Sequence, residues 1–289
     1  MKVYVHPATQ LRIEAVIAHP GGTVLLHGQP GVGRRTLALE IARRLNCQGC
    51  KDNSCRSCKM VAGGNHPDVI VVTPDEKGKI GIEAVHELQQ KLTYRPYEGE
   101  SQRVVIISNA DTLTLPAQNA ILKTLEEPPG GTTIILTATG PAGLLPTVIS
   151  RCTTLYVPPI SSSEVEAAIH EVVPNAANVP DIAIRARGRV GLALRYAADP
   201  SSQEADNKAA QQIGVLLGQQ DLYEGLILSE QLAKDFTPAL LNELTAQATA
   251  AAQTGDTVPL AAVERLHERL RANVVPKTAF TALAVELAC

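Results

Sequence analysis

The stretch Thr23-Val24-Leu25-Leu26-His27-Gly28-Gln29-Pro30-Gly31-Val32-Gly33-Arg34-Arg35-Thr36 decides the fold. Its first five residues form a short apolar run, and the glycines that follow bound it as turn residues do. Arg35–Leu45 then reads as a helix. A glycine-rich loop between a strand and a helix is the setting in which backbone N–H groups cradle phosphates. The full pattern, G-x-x-x-x-G-K-[ST], sets a lysine against the outer phosphates and a hydroxyl on magnesium. Gly28, Gly31 and Gly33 are kept here, but Arg34 and Arg35 hold those two chemical positions. An arginine fork does not fit a loop shaped for an ammonium, and a guanidinium has no lone pair for Mg²⁺. The loop reads as a relic retained for packing, and ATP is not expected to be bound productively.

Working outward, further β-branched runs lie at Val69–Val72, Val104–Ser108, Thr133–Ala138 and Thr154–Val157, which with Thr23–His27 makes five buried strands. Helical stretches at Ile82–Leu92 and Pro116–Glu127 alternate with them. This alternation predicts a parallel sheet with helices on both faces. Thr114 is placed to cap the helix Pro116–Glu127, and Pro128-Pro129 forbids its continuation. A P-loop motor carries an acidic pair after the strand that corresponds to Val104–Ser108, to hold metal and polarise water. Ser108-Asn109 stands there instead, and neither is a general base near neutral pH. Two separate halves of a hydrolytic site are therefore missing.

After Pro158-Pro159 the strand signals cease. Ser163 with Glu166 forms an S-x-x-E capping box that opens an amphipathic segment through Val172. Short helices are expected near Asp181–Arg187 and Gly191–Ala198, then a linker at Asp199-Pro200-Ser201-Ser202. From Gln203 the chain is rich in Ala, Leu, Gln and Glu, which predicts four or five more helices. The expected organisation is a sheet domain over 1–158, a small helical lid over 159–201 and an all-α domain over 202–289.

At 289 residues, with 45% hydrophobic and 19% charged residues, the chain is long enough for two or three domains of ordinary globular composition. A formal charge of −3 excludes the electrostatic footprint of a lone nucleic-acid binder. The longest apolar runs fall far short of the roughly 20 residues that span a bilayer. Met1-Lys2-Val3-Tyr4-Val5-His6-Pro7 has no apolar h-region, so a cytoplasmic location is expected.

Four of the six cysteines fall in Cys47-x2-Cys50-x4-Cys55-x2-Cys58, a polar, glycine-containing excursion after the first helix. Two C-x-x-C pairs at this spacing wrap tetrahedrally around Zn²⁺, and four protein ligands leave no open position, so a structural metal is expected. A redox dithiol or two disulfides are the competing readings, which spacing and compartment oppose. Cys152 and Cys289 read as inert small residues. His66 and Asp68 are expected to fix and cap a turn. Arg34, Arg35, Arg43 and Arg44 share one predicted helix and read as a solvated face.

Together these residues resemble a known family. The degenerate loop, the cysteine insertion, His66-Pro67-Asp68, the run Asn119-Ala120-Ile121-Leu122-Lys123-Thr124-Leu125-Glu126-Glu127-Pro128-Pro129 and Ser150-Arg151-Cys152 are similar to the AAA+ subunits of bacterial DNA polymerase III clamp loaders. The similarity is convincing over about residues 20–195. Within that family the departures from both nucleotide motifs match the delta-prime type. The resemblance implies an AAA+ sheet domain, a helical lid and a helical collar that joins five subunits. It implies a non-hydrolysing stator beside motor (tau/gamma) and delta subunits, acting on the sliding clamp and primed DNA through the assembly. Arg151, the arginine of the S-R-C motif, is implied to reach in trans to ATP on a neighbouring motor subunit. Thr139 corresponds to the family's first sensor, and the second sensor arginine falls at Gly191, with Arg187 and Arg189 nearby. An ATP-hydrolysing motor and a nucleotide-binding sensor are the alternatives.

Overall fold

A computed structural model describes residues 3–47, 49–50, 54–96, 102–218, 221–234, 238–271 and 274–288. In chain order the elements are α1 (Pro7–Ala18), β1 (Gly22–His27), α2 (Arg34–Leu45), α3 (Arg56–Ala62), β2 (Val69–Val72), α4 (Ile82–Thr93), β3 (Val104–Ile107), α5 (Leu115–Glu126), β4 (Thr133–Ala138), α6 (Pro146–Ile149) and β5 (Thr153–Tyr156). There follow α7 (Ser162–Val172), α8 (Val179–Ala186), α9 (Val190–Ala198), α10 (Pro200–Leu217), α11 (Leu222–Lys234), α12 (Pro238–Gln253), α13 (Val258–Arg271) and α14 (Pro276–Ala288). The chain divides into two compact units, Met1–Ala198 and Asp199–Cys289.

All five expected strands form, and they make one parallel sheet in the order β2-β3-β4-β1-β5. The order decides where a site can lie, since the chain leaves β1 in one direction and enters β5 on the other side. Open parallel sheets bind ligands outside the carboxyl ends of their strands at such a reversal. The glycine-rich loop leaves β1 at that place.

The central strands β1, β3 and β4 are buried on both faces, which is why they read as continuous apolar runs rather than alternating ones, whereas β2 and β5 at the sheet edges are partly exposed. Period-two geometry splits each run between two cores. Leu25, Val105, Ile107, Ile134 and Leu136 pack with Leu88 of α4 and Ile121 and Leu125 of α5. Val24, Leu26, Val104, Ile106 and Ile135 pack with Ile13 of α1 and Leu37 and Ile41 of α2. The side chain of Thr114 accepts from the Ala117 N–H and caps α5 as expected.

Helices α7, α8 and α9 have an apolar cluster of their own around Ile160, Val165, Ile169, Ile182, Ala183 and Tyr196. The capping box of α7 differs from the expected one: it is Ser161 with Glu164, two residues earlier than Ser163 with Glu166. Both pairs satisfy the pattern, but only the earlier one sets Ile160 at N′ and buried Val165 at N4, the positions of a hydrophobic staple.

The linker reading of Asp199–Ser202 also gives way. Asp199 caps α10 by accepting from the Ser201 N–H at 3.1 Å, with Pro200 in the first turn, so these residues start a helix. Among the described residues the second unit has five helices, α10–α14, whose aliphatic core includes Leu216, Leu232, Leu244, Val263, Leu266 and Leu283 around a fully buried Phe280.

Candidate functional site

The glycine-rich loop opens α2 with Gly33 in the left-handed region, and no side chain caps that end. Arg34, in the lysine position, turns inward and is 9% exposed, with Nη1 buried and without a partner among the described residues. Burial pushes the Arg34 pKa down, and the charge of Asp111 offsets part of that effect. His27, at the end of β1, is also shifted down, by burial first and then by the Arg34 charge. Arg35, in the hydroxyl position, is exposed. At the end of β3 the Ser108 hydroxyl is buried and unpartnered.

Asp111 was not singled out in the sequence. It lies in a 3₁₀ turn after β3, entered through Asn109 in the left-handed conformation. Its Oδ2 accepts from both the N–H and the hydroxyl of Thr139, at 3.0 and 2.5 Å, while Oδ1 is buried without a partner. The signal that finds it is positional, since an acid two residues beyond the missing pair still belongs to the strand-end turn. Arg34, Ser108 and Asp111 thus leave unpaired buried polar atoms at the carboxyl end of the sheet, where each such atom costs about 1–3 kcal/mol unless water or a ligand meets it.

The start of α9 closes over the loop. The carbonyl of Gly31 accepts from the N–H groups of Gly191 and Leu192, at 2.7 and 3.2 Å. A Cβ at Gly191 would stand 2.9 Å from that carbonyl oxygen, and one at Gly31 would stand 3.0 Å from the Leu192 Cβ. A side chain at Gly191, the residue expected to match the family's second sensor, would therefore require the loop backbone at Gly31 to shift. Arg189 is half-buried with Nε tied to the Ala186 carbonyl, and Arg187 is exposed. Gly191→Ala is expected to destabilise the first unit by about 1–3 kcal/mol through this clash. A urea transition at the wild-type midpoint would show that the loop gives way freely.

The four arginines of α2 do not form a solvated face. Arg34 is buried, Arg43 pairs with Glu40, and Arg44 pairs through both terminal nitrogens with Glu14 of α1; Arg35 is exposed. Spacing places residues on a helix, but α1 and α3 cover the side where Arg43 and Arg44 lie.

Arg151 follows α6 and is 32% exposed, not free in solvent. Its Nε donates to Glu126 Oε2 at 2.8 Å and its Nη1 to the Thr147 carbonyl at 3.1 Å. Glu126 ends α5, so the two most distinctive sequence motifs meet at this ion pair. Nη2 has no partner among the described residues.

The sulfur atoms of Cys47, Cys50, Cys55 and Cys58 lie within 4.8 Å of one another. Cys47 and Cys50 are 3.4 Å apart, and Cys50 and Cys58 are 3.6 Å apart. Four sulfurs at about 2.3 Å from a tetrahedral zinc are about 3.8 Å apart, so the donor set fits such an ion. Part of the excursion is helical, which was not expected: the Cys55 thiol accepts from the Cys58 N–H and caps α3. Residues 48 and 51–53 of the excursion lie outside the described residues, as does Cys289. The Cys58 thiol is pushed up to about 12, burial being the largest cause, so a metal held by these sulfurs would have to displace protons.

His66 and Asp68 fix the turn before β2. The ring Nδ1 accepts from the Asp68 N–H at 3.2 Å, and Nε2 meets the Ser57 hydroxyl of α3 at 3.1 Å. Cys152 is half-buried against the sheet core, with its thiol pushed up to about 11 by burial, which suits a packing residue.

A family model described as DNA polymerase III, delta subunit, matches residues 9–161, more than half of the chain. Among curated proteins, DNA polymerase III subunit delta' of Yersinia pestis is 45% identical over 140 residues, 46% of this chain and 41% of that protein. The chain belongs to the delta-prime family of DNA polymerase III subunits. The Escherichia coli delta' subunit is 39% identical over 142 residues, 47% of this chain and 42% of that protein. The matches thus span about two fifths of these relatives' own length. A DNA polymerase III gamma subunit-related protein from Thermotoga maritima shares the fold, with a TM-score of 0.54 at 19% identity over 97% of this chain and 98% of that one. The fold is a five-stranded parallel sheet unit followed by helices. Among the described residues no helix is long and apolar enough to cross a membrane.

Proposed function

We propose that this chain is the non-hydrolysing stator of a replicative clamp loader, and that Arg151 completes an ATP site on a neighbouring motor subunit. The observation that carries the reading is the state of its own nucleotide site. The ammonium, the metal-binding hydroxyl and the acidic pair are all replaced, Arg34 is folded inward, and α9 is bonded to the loop backbone at Gly31. A chain built in this way lacks the lysine, the hydroxyl and the acidic pair with which a motor subunit holds and hydrolyses ATP. It retains the S-R-C arginine on a short, well-anchored segment.

The three-part division, with a sheet domain to residue 158, a lid to 201 and a collar beyond, belongs to the same proposal. So do the partners: motor (tau/gamma) and delta subunits, with the sliding clamp and primed DNA reached through the assembly in the cytoplasm. Zn²⁺ is the proposed metal of the four cysteines, with a structural role.

Titration of the isolated chain with ATP and Mg²⁺ is the direct test. No binding into the millimolar range and no turnover above background are expected. ATP turnover that persists through purification and is lost in Gly33→Asp would overturn the reading in favour of a motor. A nucleotide-binding sensor is the second reading, favoured by the unpartnered Arg34 Nη1 beside the start of α2. Micromolar binding without turnover, abolished in Arg34→Ala, would select it.

A further inference from the structure

Arg43 lies in the last turns of α2, and its side chain is only 13% exposed. A guanidinium this deep must have its donors met. Glu40, three residues earlier, takes two of them: Nε donates to Oε2 at 2.8 Å and Nη2 to Oε1 at 2.6 Å. This fork-to-fork pairing fixes the plane of the guanidinium. The remaining nitrogen, Nη1, donates to Cys58 Sγ at 3.4 Å. Cys58 is the deepest member of the cluster, 1% exposed, and its sulfur also faces that of Cys50.

Four thiolates around one divalent cation carry a net charge of −2. Part of that charge sits on a sulfur that water scarcely reaches, and excess buried charge is costly unless donors are aimed at it. Donors just outside a ligand set orient the ligands and tune the metal. We infer that Arg43 is a positioning residue for the metal held by the four cysteines: its Nη1–H offsets the charge on Cys58 and fixes that sulfur, and Glu40 aims it. The metal centre is then built partly on α2, the helix that opens at the degenerate phosphate loop, and not on the insertion alone. This inference rests on the zinc reading.

The full chain, as wild type, Arg43→Gln, Arg43→Lys and Arg44→Gln, is loaded with Zn²⁺ and titrated with a chelator of known affinity. Each is then loaded with Co²⁺, whose sulfur-to-metal charge-transfer band reports the electron density on the thiolates. Arg43→Gln is expected to bind Zn²⁺ about 10–100-fold more weakly. Its cobalt band should move to lower energy, because the sulfur lone pair loses a hydrogen bond. Arg43→Lys should recover part of both, since an ammonium keeps the charge but not the fork that Glu40 holds. Arg44→Gln, on the same helix but paired with Glu14, should match wild type.

If wild type binds one metal and Arg43→Gln binds it equally well with an unshifted band, the role of Arg43 is overturned and the zinc reading stands. Weaker binding with an unshifted band, or an equal loss in Arg44→Gln, means a merely structural arginine and also overturns it. A wild-type chain that takes up no metal removes both. Should Arg43→Gln fail to fold, the cobalt band of Arg43→Lys carries the same comparison.

Discussion

A clamp loader reassembled with Arg151→Ala in this chain is expected to lose most ATP turnover at the one site that this subunit faces, while its other sites keep theirs. Arginine fingers supplied in trans contribute roughly 10³–10⁵ in rate in related phosphoryl-transfer systems, because a guanidinium neutralises charge that develops on the transferred group. Total stimulated turnover should therefore fall partially and clamp loading more severely. The geometry adds a condition: Nε and Nη1 are held by Glu126 and the Thr147 carbonyl, which leaves Nη2 without a partner among the described residues. The Glu126 pair is partly solvent-exposed, so it contributes about 0–1 kcal/mol to stability, and the mutant chain should fold and assemble normally. Arg151→Lys should rescue little, as a lysine cannot keep both anchors and present a second nitrogen to phosphate. Stimulated ATP hydrolysis and clamp loading, measured beside wild type with incorporation verified, decide the matter. Equal rates in both assays would make Arg151 an ordinary half-buried surface residue.

Removing the metal is the second change with a large expected effect. Structural zinc sites hold their ion with an apparent free energy of about 10–16 kcal/mol in small peptides near neutral pH, and that binding energy is folding energy for the segment concerned. The wild-type chain is expected to retain one zinc through purification without chelator. Cys55→Ser removes a ligand and replaces the thiol that caps α3, so it should release the ion and loosen the segment from Cys47 to His66. The sheet should survive, since the residues of its two cores come from strands and helices outside that segment. Hydrogen exchange is the measurement: protection should drop in α3 and the turn that His66 anchors, yet persist in β1, β3 and β4. Unchanged protection in α3 after metal loss, or a wild-type chain without zinc, would count against the structural-metal reading.

Much of this protein was determined by local sequence. The five strands, the helix Leu115–Glu126 and the cysteine cluster were legible because their signals are short-range. The buried central strands must be apolar throughout, the edge strands β2 and β5 keep β-branched residues, Thr114 and Pro128 punctuate α5, and two C-x-x-C pairs leave few geometric choices. Other features were decided by partners distant in sequence. α1 went unread because its apolar residues do not keep to one face: Ile13 is buried, Val16 and Ile17 are partly so, and Leu11 is exposed. The choice between two capping serines in α7 depended on Ile160 and Val165 entering a shared core. Arg43 and Arg44 were taken for a solvated face because spacing says which residues share a helix, not what covers it; Cys58 and Glu14 cover them here. Loss of the catalytic lysine, hydroxyl and acids was visible residue by residue. That α9 is bonded to Gly31, that Asp111 holds Thr139 and that Arg34 turns inward depended on the crossing of β1, β3 and α9 at the carboxyl end of the sheet. Chemical identity is carried by each residue alone, whereas burial and hydrogen-bond partnership belong to pairs that only the folded chain brings together.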